Sequence, residues 1–115
     1  LPKIFCVNWF RKGADGKFVW PGYGDNMRVL KWMIDRVEGK VGGVEHIAGV
    51  TPAYQDLVWE GLDFNAQAFD AVTHIDAAAW RAELDLHRSL FDQLAHNLPE
   101  ELLKTRAEWE ARLAA

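Results

Sequence analysis

The stretch from Asn8 to Asn26 leaves this chain little freedom to form a long regular element near its start. It holds five aromatics (Trp9, Phe10, Phe18, Trp20, Tyr23) and four glycines (Gly13, Gly16, Gly22, Gly24), with Pro21 among them. Glycine and proline interrupt both helical and strand repeats, so these residues must be held by turns. The composition also suits a site: rings offer flat stacking faces, glycines let backbone approach a ligand, and Asn26 can read a hydrogen-bonding edge. A planar heteroaromatic such as a nucleobase fits that chemistry. The plainer reading is that the rings are core residues and the glycines loop punctuation.

With 115 residues, of which 50% are hydrophobic, the chain can bury a core. Its 13 Lys+Arg against 17 Asp+Glu give a net charge of −4. That balance disfavours broad nucleic-acid binding. The lone Cys6 cannot form an intrachain disulfide, and its apolar neighbours Ile4, Phe5 and Val7 predict a small buried thiol. No apolar run has membrane-spanning length and no signal-peptide pattern is visible, so no membrane partner and a cytoplasmic setting are expected.

Along the chain, the β-branched and aromatic run Lys3 to Phe10 predicts a buried strand. Arg11 to Gly16 reads as a turn and Lys17 to Trp20 as a second short extended piece. A helix follows, capped by Asp25 or Asn26, with Met27, Leu30, Ile34 and Val37 at helical spacing and Gly39 at its end. Lys40 to Leu62 is the least regular part, with loop glycines and a short helix able to start at Thr51-Pro52. Phe64 to Val72 suggests another short helix. Asp76 should cap a longer one whose Trp80, Leu84, Phe91 and Leu94 form a stripe, with Leu86 and Leu90 alongside. After the break at Asn97-Leu98-Pro99, a last helix begins with Glu100 and Glu101, has Glu100/Lys104 and Glu108/Arg112 four apart, and buries some of Leu102, Leu103, Trp109 and Leu113. The fold class expected is α+β: short N-terminal strands and an aromatic loop, then mostly α-helices.

Other chemistry is weak. His46, His74, His87 and His96 lack metal-ligand spacing, and Glu83 and Asp85 do not share a helix face. The Gly-x-x-x-x-Gly-Lys-Ser/Thr phosphate loop is absent throughout. Trp20 and Trp32 read as packing residues, and Arg11, Lys12 and Lys17 as solvated ones.

The string Asn-Trp-Phe-Arg-Lys, followed by Gly-Lys-Phe-Val-Trp-Pro-Gly-Tyr-Gly-Asp-Asn-Met-Arg-Val-Leu-Lys-Trp-Met, closely resembles the C-terminal nucleotide-binding segment of GTP-dependent phosphoenolpyruvate carboxykinase. The likeness is dense from Leu1 to about Arg36 and looser afterwards. Those enzymes convert oxaloacetate and GTP to phosphoenolpyruvate, GDP and carbon dioxide in gluconeogenesis, with Mn²⁺ at the active site and Mg²⁺ bound with the nucleotide. They are several times longer. With its start at Leu-Pro-Lys-Ile-Phe rather than Met, the chain is therefore expected to be a C-terminal fragment of a nucleotide-binding domain, residues 1–38 the guanine-binding segment and 39–115 the mainly helical remainder. The whole protein is expected to be monomeric.

The resemblance implies that phosphate-binding loop, metal ligands and lid lie upstream, so no catalytic residue falls in this chain and the fragment alone should be inactive. What it carries over is base recognition. Phe10 and Tyr23 would clamp the two faces of guanine, Phe18 would close an edge and Trp9 support the wall. Tyr23, Gly24, Asp25 and Asn26 would present backbone and amide groups to the purine edge. Tyr23 stands where the family often has Phe. Guanine carries a carbonyl acceptor where adenine carries an amino donor, so groups that match one leave the other unpaired. For Asn26 a plain helix cap is the competing role. For the whole chain, the competing function is a helical protein-interaction module with an aromatic binding loop.

Overall fold

Four α-helices and one β-hairpin organise residues 1–114, the part that the computed structural model describes. In chain order they are α1 (Asn26–Val37), β1 (Val44–His46), β2 (Gly49–Thr51), α2 (Ala66–Thr73), α3 (Ala77–Gln93) and α4 (Glu100–Ala114). The chain falls into two compact units, one made of Leu1–His46 with Val50–His74, the other of Ile47–Gly49 with the residues from Ile75 on. The α+β class is as the sequence predicts.

The first unit is built on aromatic rings. Trp32, Leu57, Phe64 and Phe69 are its buried centre, and Phe5, Val29, Met33, Tyr54 and Trp59 pack around them. Tyr54 stacks on Trp59 at 5.1 Å and Trp59 on Phe64 at 5.2 Å, while Trp20 meets Phe64 edge-on at 5.9 Å. Offset and edge-on contacts of this kind add to the burial of the rings themselves. The polar tips are satisfied locally: Tyr54 Oη donates to Phe64 O and Trp59 Nε1 donates to Tyr54 O, both at 2.8 Å. Both Trp20 and Trp32 are core residues, as expected.

Three expectations for this unit are corrected. Lys3–Phe10 forms no strand and is largely exposed, with Cys6 exposed as well; Phe5 turns in, edge-on to Trp32 at 6.0 Å, and Trp9 turns in toward Trp20. β-Propensity describes a fit to a neighbouring pleated surface, and no described segment pairs with this one. The paired strands are β1 and β2, and Lys17–Trp20 contributes a single antiparallel bridge, Phe18 to Lys12. Second, α1 has the expected limits but buries the opposite face. Met27, Leu30, Ile34 and Val37 are exposed, whereas Trp32 is buried and Val29 and Met33 pack on the core. The helix is apolar on two sides, and the aromatic cluster engages the one bearing Trp32. Third, neither Asp25 nor Asn26 caps α1 through its side chain; the helix is entered through a 3-10 turn, Tyr23–Asp25.

The irregular middle forms the hairpin and a second 3-10 turn, Tyr54–Asp56. That turn is not capped by Thr51: the Ala53 N–H donates to Asp56 Oδ2 at 2.8 Å. Gly43 admits no larger residue, since a Cβ there would lie 2.5 Å from Val50 Cγ1 and 2.9 Å from the Thr51 carbonyl oxygen. Asn65 starts α2, its Oδ1 accepting from Ala68 N at 2.9 Å.

The second unit is a helix pair whose helices begin where the sequence signals put them, although Leu86, Leu90 and Leu94 of the expected α3 pattern are exposed. Asp76 Oδ1 accepts from Ala78 N at 2.9 Å and Ala79 N at 3.0 Å, capping α3. Leu84 and Leu113 are buried, and Trp80 meets Trp109 edge-on at 5.0 Å. Arg81 donates to Leu113 O and Arg106 Nε to Leu84 O, so α3 and α4 run antiparallel. Glu100 pairs with Lys104 at 3.0 Å; Glu110 pairs with Arg106 at 2.6 Å, and no pair forms between Glu108 and Arg112 among the described residues. No helix of the described residues is long and apolar enough to cross a membrane.

Candidate functional site

The segment from Asn8 to Asn26 is irregular yet held at several points. Asn8 Oδ1 accepts from Phe10 N at 3.0 Å, which turns the chain at Trp9 and Phe10. Arg11 then ties the turn down: one guanidinium nitrogen donates to Val72 O at 2.9 Å and to His74 O at 2.8 Å, carbonyls at the end of α2. Charged donors on backbone carbonyls make strong anchors. Arg11, read from sequence as a solvated residue, is thus a structural tether.

A tight reversal follows. Val19 N donates to Arg11 O at 2.9 Å, Gly13 N to Lys17 O at 2.9 Å, and Gly16 N to Gly13 O at 3.0 Å. This narrow ribbon brings Phe18 back to Phe10, with ring centroids 5.7 Å apart at 67°. Lys12 Nζ lies over the Phe18 ring at 5.8 Å. On the other side Trp9 and Trp20 meet at 5.6 Å.

Pro21 and Gly22 turn the chain into the 3-10 turn, and Gly22 has φ 143°, a region that L side chains rarely adopt. Tyr23 follows, 92% exposed. The Asp25 N–H donates to Gly22 O at 3.1 Å and the Asn26 N–H to Tyr23 O, so both are engaged inside the turn. Asp25 Oδ1 accepts from Arg28 Nε at 2.9 Å. Asn26 Oδ1 accepts from Trp20 Nε1 at 2.8 Å.

Together these turns enclose a cleft of about 470 Å³ lined by Trp9, Phe10, Phe18, Trp20, Pro21, Gly22, Tyr23 and Asn26. That volume lies within the usual range for small-molecule sites. Trp9, Phe10, Phe18, Tyr23 and Asn26, singled out from sequence, share its wall; Gly24 and Asp25 do not line it. Sequence reasoning missed the lining role of Trp20, Pro21 and Gly22. The signal was their place inside the same aromatic string, obscured because a buried Trp reads as core. Phe10 and Tyr23 are exposed while Trp20 is 6% exposed. With Phe18 also exposed, the cleft has three accessible rings standing on a packed aromatic floor. Open rings beside one polar amide can take a flat apolar ligand with a hydrogen-bonding edge.

Metal chemistry has no comparable basis. No group of three or more His, Cys, Asp or Glu that could hold an ion occurs among the described residues.

Comparison with known proteins agrees with the local resemblance and extends it. The family model described as "Phosphoenolpyruvate carboxykinase C-terminal P-loop domain" matches residues 1–112. A protein of Anaeromyxobacter dehalogenans named phosphoenolpyruvate carboxykinase (GTP) is 50% identical over 105 residues, covering 91% of this chain and 18% of that protein. Proteins of the same name from Renibacterium salmoninarum and Treponema pallidum are 47% identical over 103 residues and 44% identical over 114. These alignments cover 90% and 98% of this chain, and 17% and 18% of the relatives. The chain therefore spans less than a fifth of the length of these relatives.

Proposed function

The chain belongs to the phosphoenolpyruvate carboxykinase C-terminal P-loop domain family, and from that premise we propose that it is the guanine-recognising part of a GTP-dependent phosphoenolpyruvate carboxykinase. The observation that carries the proposal is the cleft in which Phe10, Phe18 and Tyr23 offer rings beside the Asn26 amide. Phe10 and Tyr23 clamp the base, Phe18 closes an edge, and Trp9 backs the wall. Asn26 reads the purine edge, while Gly24 and Asp25 shape the turn that carries Tyr23 and Asn26. Base stacking on aromatic rings is worth about 1–3 kcal/mol per ring removed.

The whole protein, on this reading, converts oxaloacetate and GTP to phosphoenolpyruvate, GDP and carbon dioxide in gluconeogenesis, as a cytoplasmic monomer. Phosphoryl transfer requires cationic groups and metal around the phosphates. The described residues offer no donor set for Mn²⁺ or Mg²⁺, and no phosphate-loop pattern occurs in the sequence. This chain's own residues bind and orient the base. Residues 1–38 carry that role and 39–115 the helical remainder.

A helical interaction module with an aromatic loop is not favoured, because the family matched is that of GTP-dependent carboxykinases. Calorimetric titration of the full-length protein with GDP and ADP tests the proposal. Saturable binding with guanine preferred over adenine is expected. Equal affinity for both, or binding of neither, would overturn it.

A further inference from the structure

Trp20 does more than fill space. Its ring packs against Trp9 and Phe64, and its Nε1–H donates to Asn26 Oδ1 at 2.8 Å. An indole nitrogen can only donate, while an amide has one end that accepts and one that donates. The bond therefore decides which way round the Asn26 amide sits. Oδ1 is held by Trp20, and Nδ2, which finds no acceptor among the described residues, is the end left for the cleft that both residues line. Nearby Arg28 does not compete for Oδ1. Its guanidinium is engaged by Asp25 Oδ1, Val58 O and Glu60 O.

From this geometry we infer that Trp20 is the positioning residue for base selectivity, holding the Asn26 amide so that a donor rather than an acceptor faces the base. A donor at that wall matches a purine with a carbonyl at position 6. Against a 6-aminopurine it faces another donor, and a buried mismatch of this kind leaves both groups unpaired. Without the indole N–H the amide can turn over and present its oxygen, which suits the 6-amino group. Losing Trp20's donor should then change the preference between bases and not only the strength of binding. The inference rests on the guanine reading of the cleft.

Trp20→Phe in the full-length protein keeps an aromatic ring and removes the donor. Calorimetric titration with GDP, IDP and ADP reads the consequence. IDP retains the 6-carbonyl and lacks the 2-amino group, so it reports on the edge that Asn26 would face. Relative to the wild type, GDP and IDP should weaken together, ADP should gain, and the GDP-to-ADP affinity ratio should fall about tenfold, the scale of one hydrogen bond. A role in packing alone would weaken all three by one factor. An unchanged ratio overturns the inference while leaving the guanine reading intact, whereas a wild type without guanine preference would remove the reading itself. Should Trp20→Phe fail to fold, Asn26→Asp keeps an acceptor for the indole at nearly the same size and lacks the donor. It should melt near the wild type and lose the GDP-to-ADP preference, and an undiminished preference in that variant overturns the inference equally.

Discussion

The two units cover their apolar residues with different materials. The first relies on rings in contact, Trp20, Tyr54, Trp59, Phe64 and Phe69 with one another and Trp32 with Phe5, and on basic side chains reaching backbone carbonyls far away in sequence. Arg11 reaches residues 72 and 74, and Arg28 reaches 58 and 60. The second unit relies on α3, capped by Asp76, paired with α4, on an inward stripe around Leu84 and Leu113, and on ion pairs along the helices. Each has a hollow. That of the first unit joins open rings to an amide, while that of the second, about 340 Å³ between α3 and α4, is walled mainly by Leu84, Leu90, Phe91, Leu102 and Trp109. Its most buried cation, Arg106, is already paired with Glu110. A ring mosaic held by distant anchors can leave a polar end facing a cleft, whereas a zipped helix pair tends to consume its polar groups in its own surface.

The largest expected effect tests the mosaic. Trp32 is 3% exposed, and Trp32→Ala should cost about 3–5 kcal/mol, the scale for removing a buried large aromatic. Leu84, equally buried at the centre of the second unit, should cost about 2–5 kcal/mol as Leu84→Ala. Chemical denaturation of the full-length variants measures both. A larger loss for Leu84→Ala than for Trp32→Ala would break the view that the ring cluster is the more demanding core.

The anchors come next. Arg28 donates to one carboxylate and two carbonyls, and its side chain is only 19% exposed. Arg28→Met preserves much of the stem but removes those contacts, so a loss of about 1.5–3 kcal/mol is expected for hydrogen bonds involving a charged group. A melt indistinguishable from the wild type would mean that the turn at Tyr23–Asp25 is held by its backbone alone.

The clamp is third. Phe10→Ala and Tyr23→Ala should each weaken GDP binding by about 1–3 kcal/mol while leaving stability nearly unchanged, because both rings are exposed. Tyr23→Phe should be close to neutral, since its hydroxyl makes no hydrogen bond among the described residues. Wild-type GDP affinity in both alanine variants would remove the stacking role from the first unit's cleft.

The same contrast governs what the sequence makes legible. In the second unit, Asp76 and Pro99 are local signals with one structural meaning, and α3 and α4 begin where those signals put them, with Leu84 buried between. In the first unit, local signals have several meanings that only distant partners resolve. Met27, Leu30, Ile34 and Val37 form as good a helical stripe as Val29, Trp32 and Met33, and the choice between them is made by Phe5, Phe64 and Phe69. Ile4 to Val7 has strand propensity but no pairing neighbour among the described residues. At the site, residue identity was legible because rings and an amide declare their chemistry. The Trp20 to Asn26 hydrogen bond was not, because nothing in the order of residues says which end of an amide a buried indole will meet.

The smallest expected effect sharpens the comparison from the other side. Lys104 and Glu100 lie one helical turn apart on α4, 3.0 Å from nitrogen to oxygen, with side chains 64% and 74% exposed. Geometrically the contact is as good as that of Arg28 with Asp25 at 2.9 Å. Energetically the two should differ, because an exposed pair trades hydration for a screened attraction and must immobilise two long side chains. Lys104→Met should therefore cost only about 0.2–0.5 kcal/mol, the scale of an exposed helical pair, and that loss should shrink in high salt. Glu100 retains its favourable place at the start of α4 without Lys104, which limits the loss further. Melting Arg28→Met and Lys104→Met side by side at low and high salt makes the distinction measurable. The Arg28 loss should persist, since the Arg28 and Asp25 side chains are only 19% and 22% exposed and salt screens a partly buried pair much less, and the Lys104 loss should fade. If both losses fade alike, the long-range anchors of the first unit are surface electrostatics after all, and nothing beyond ring packing separates the two units.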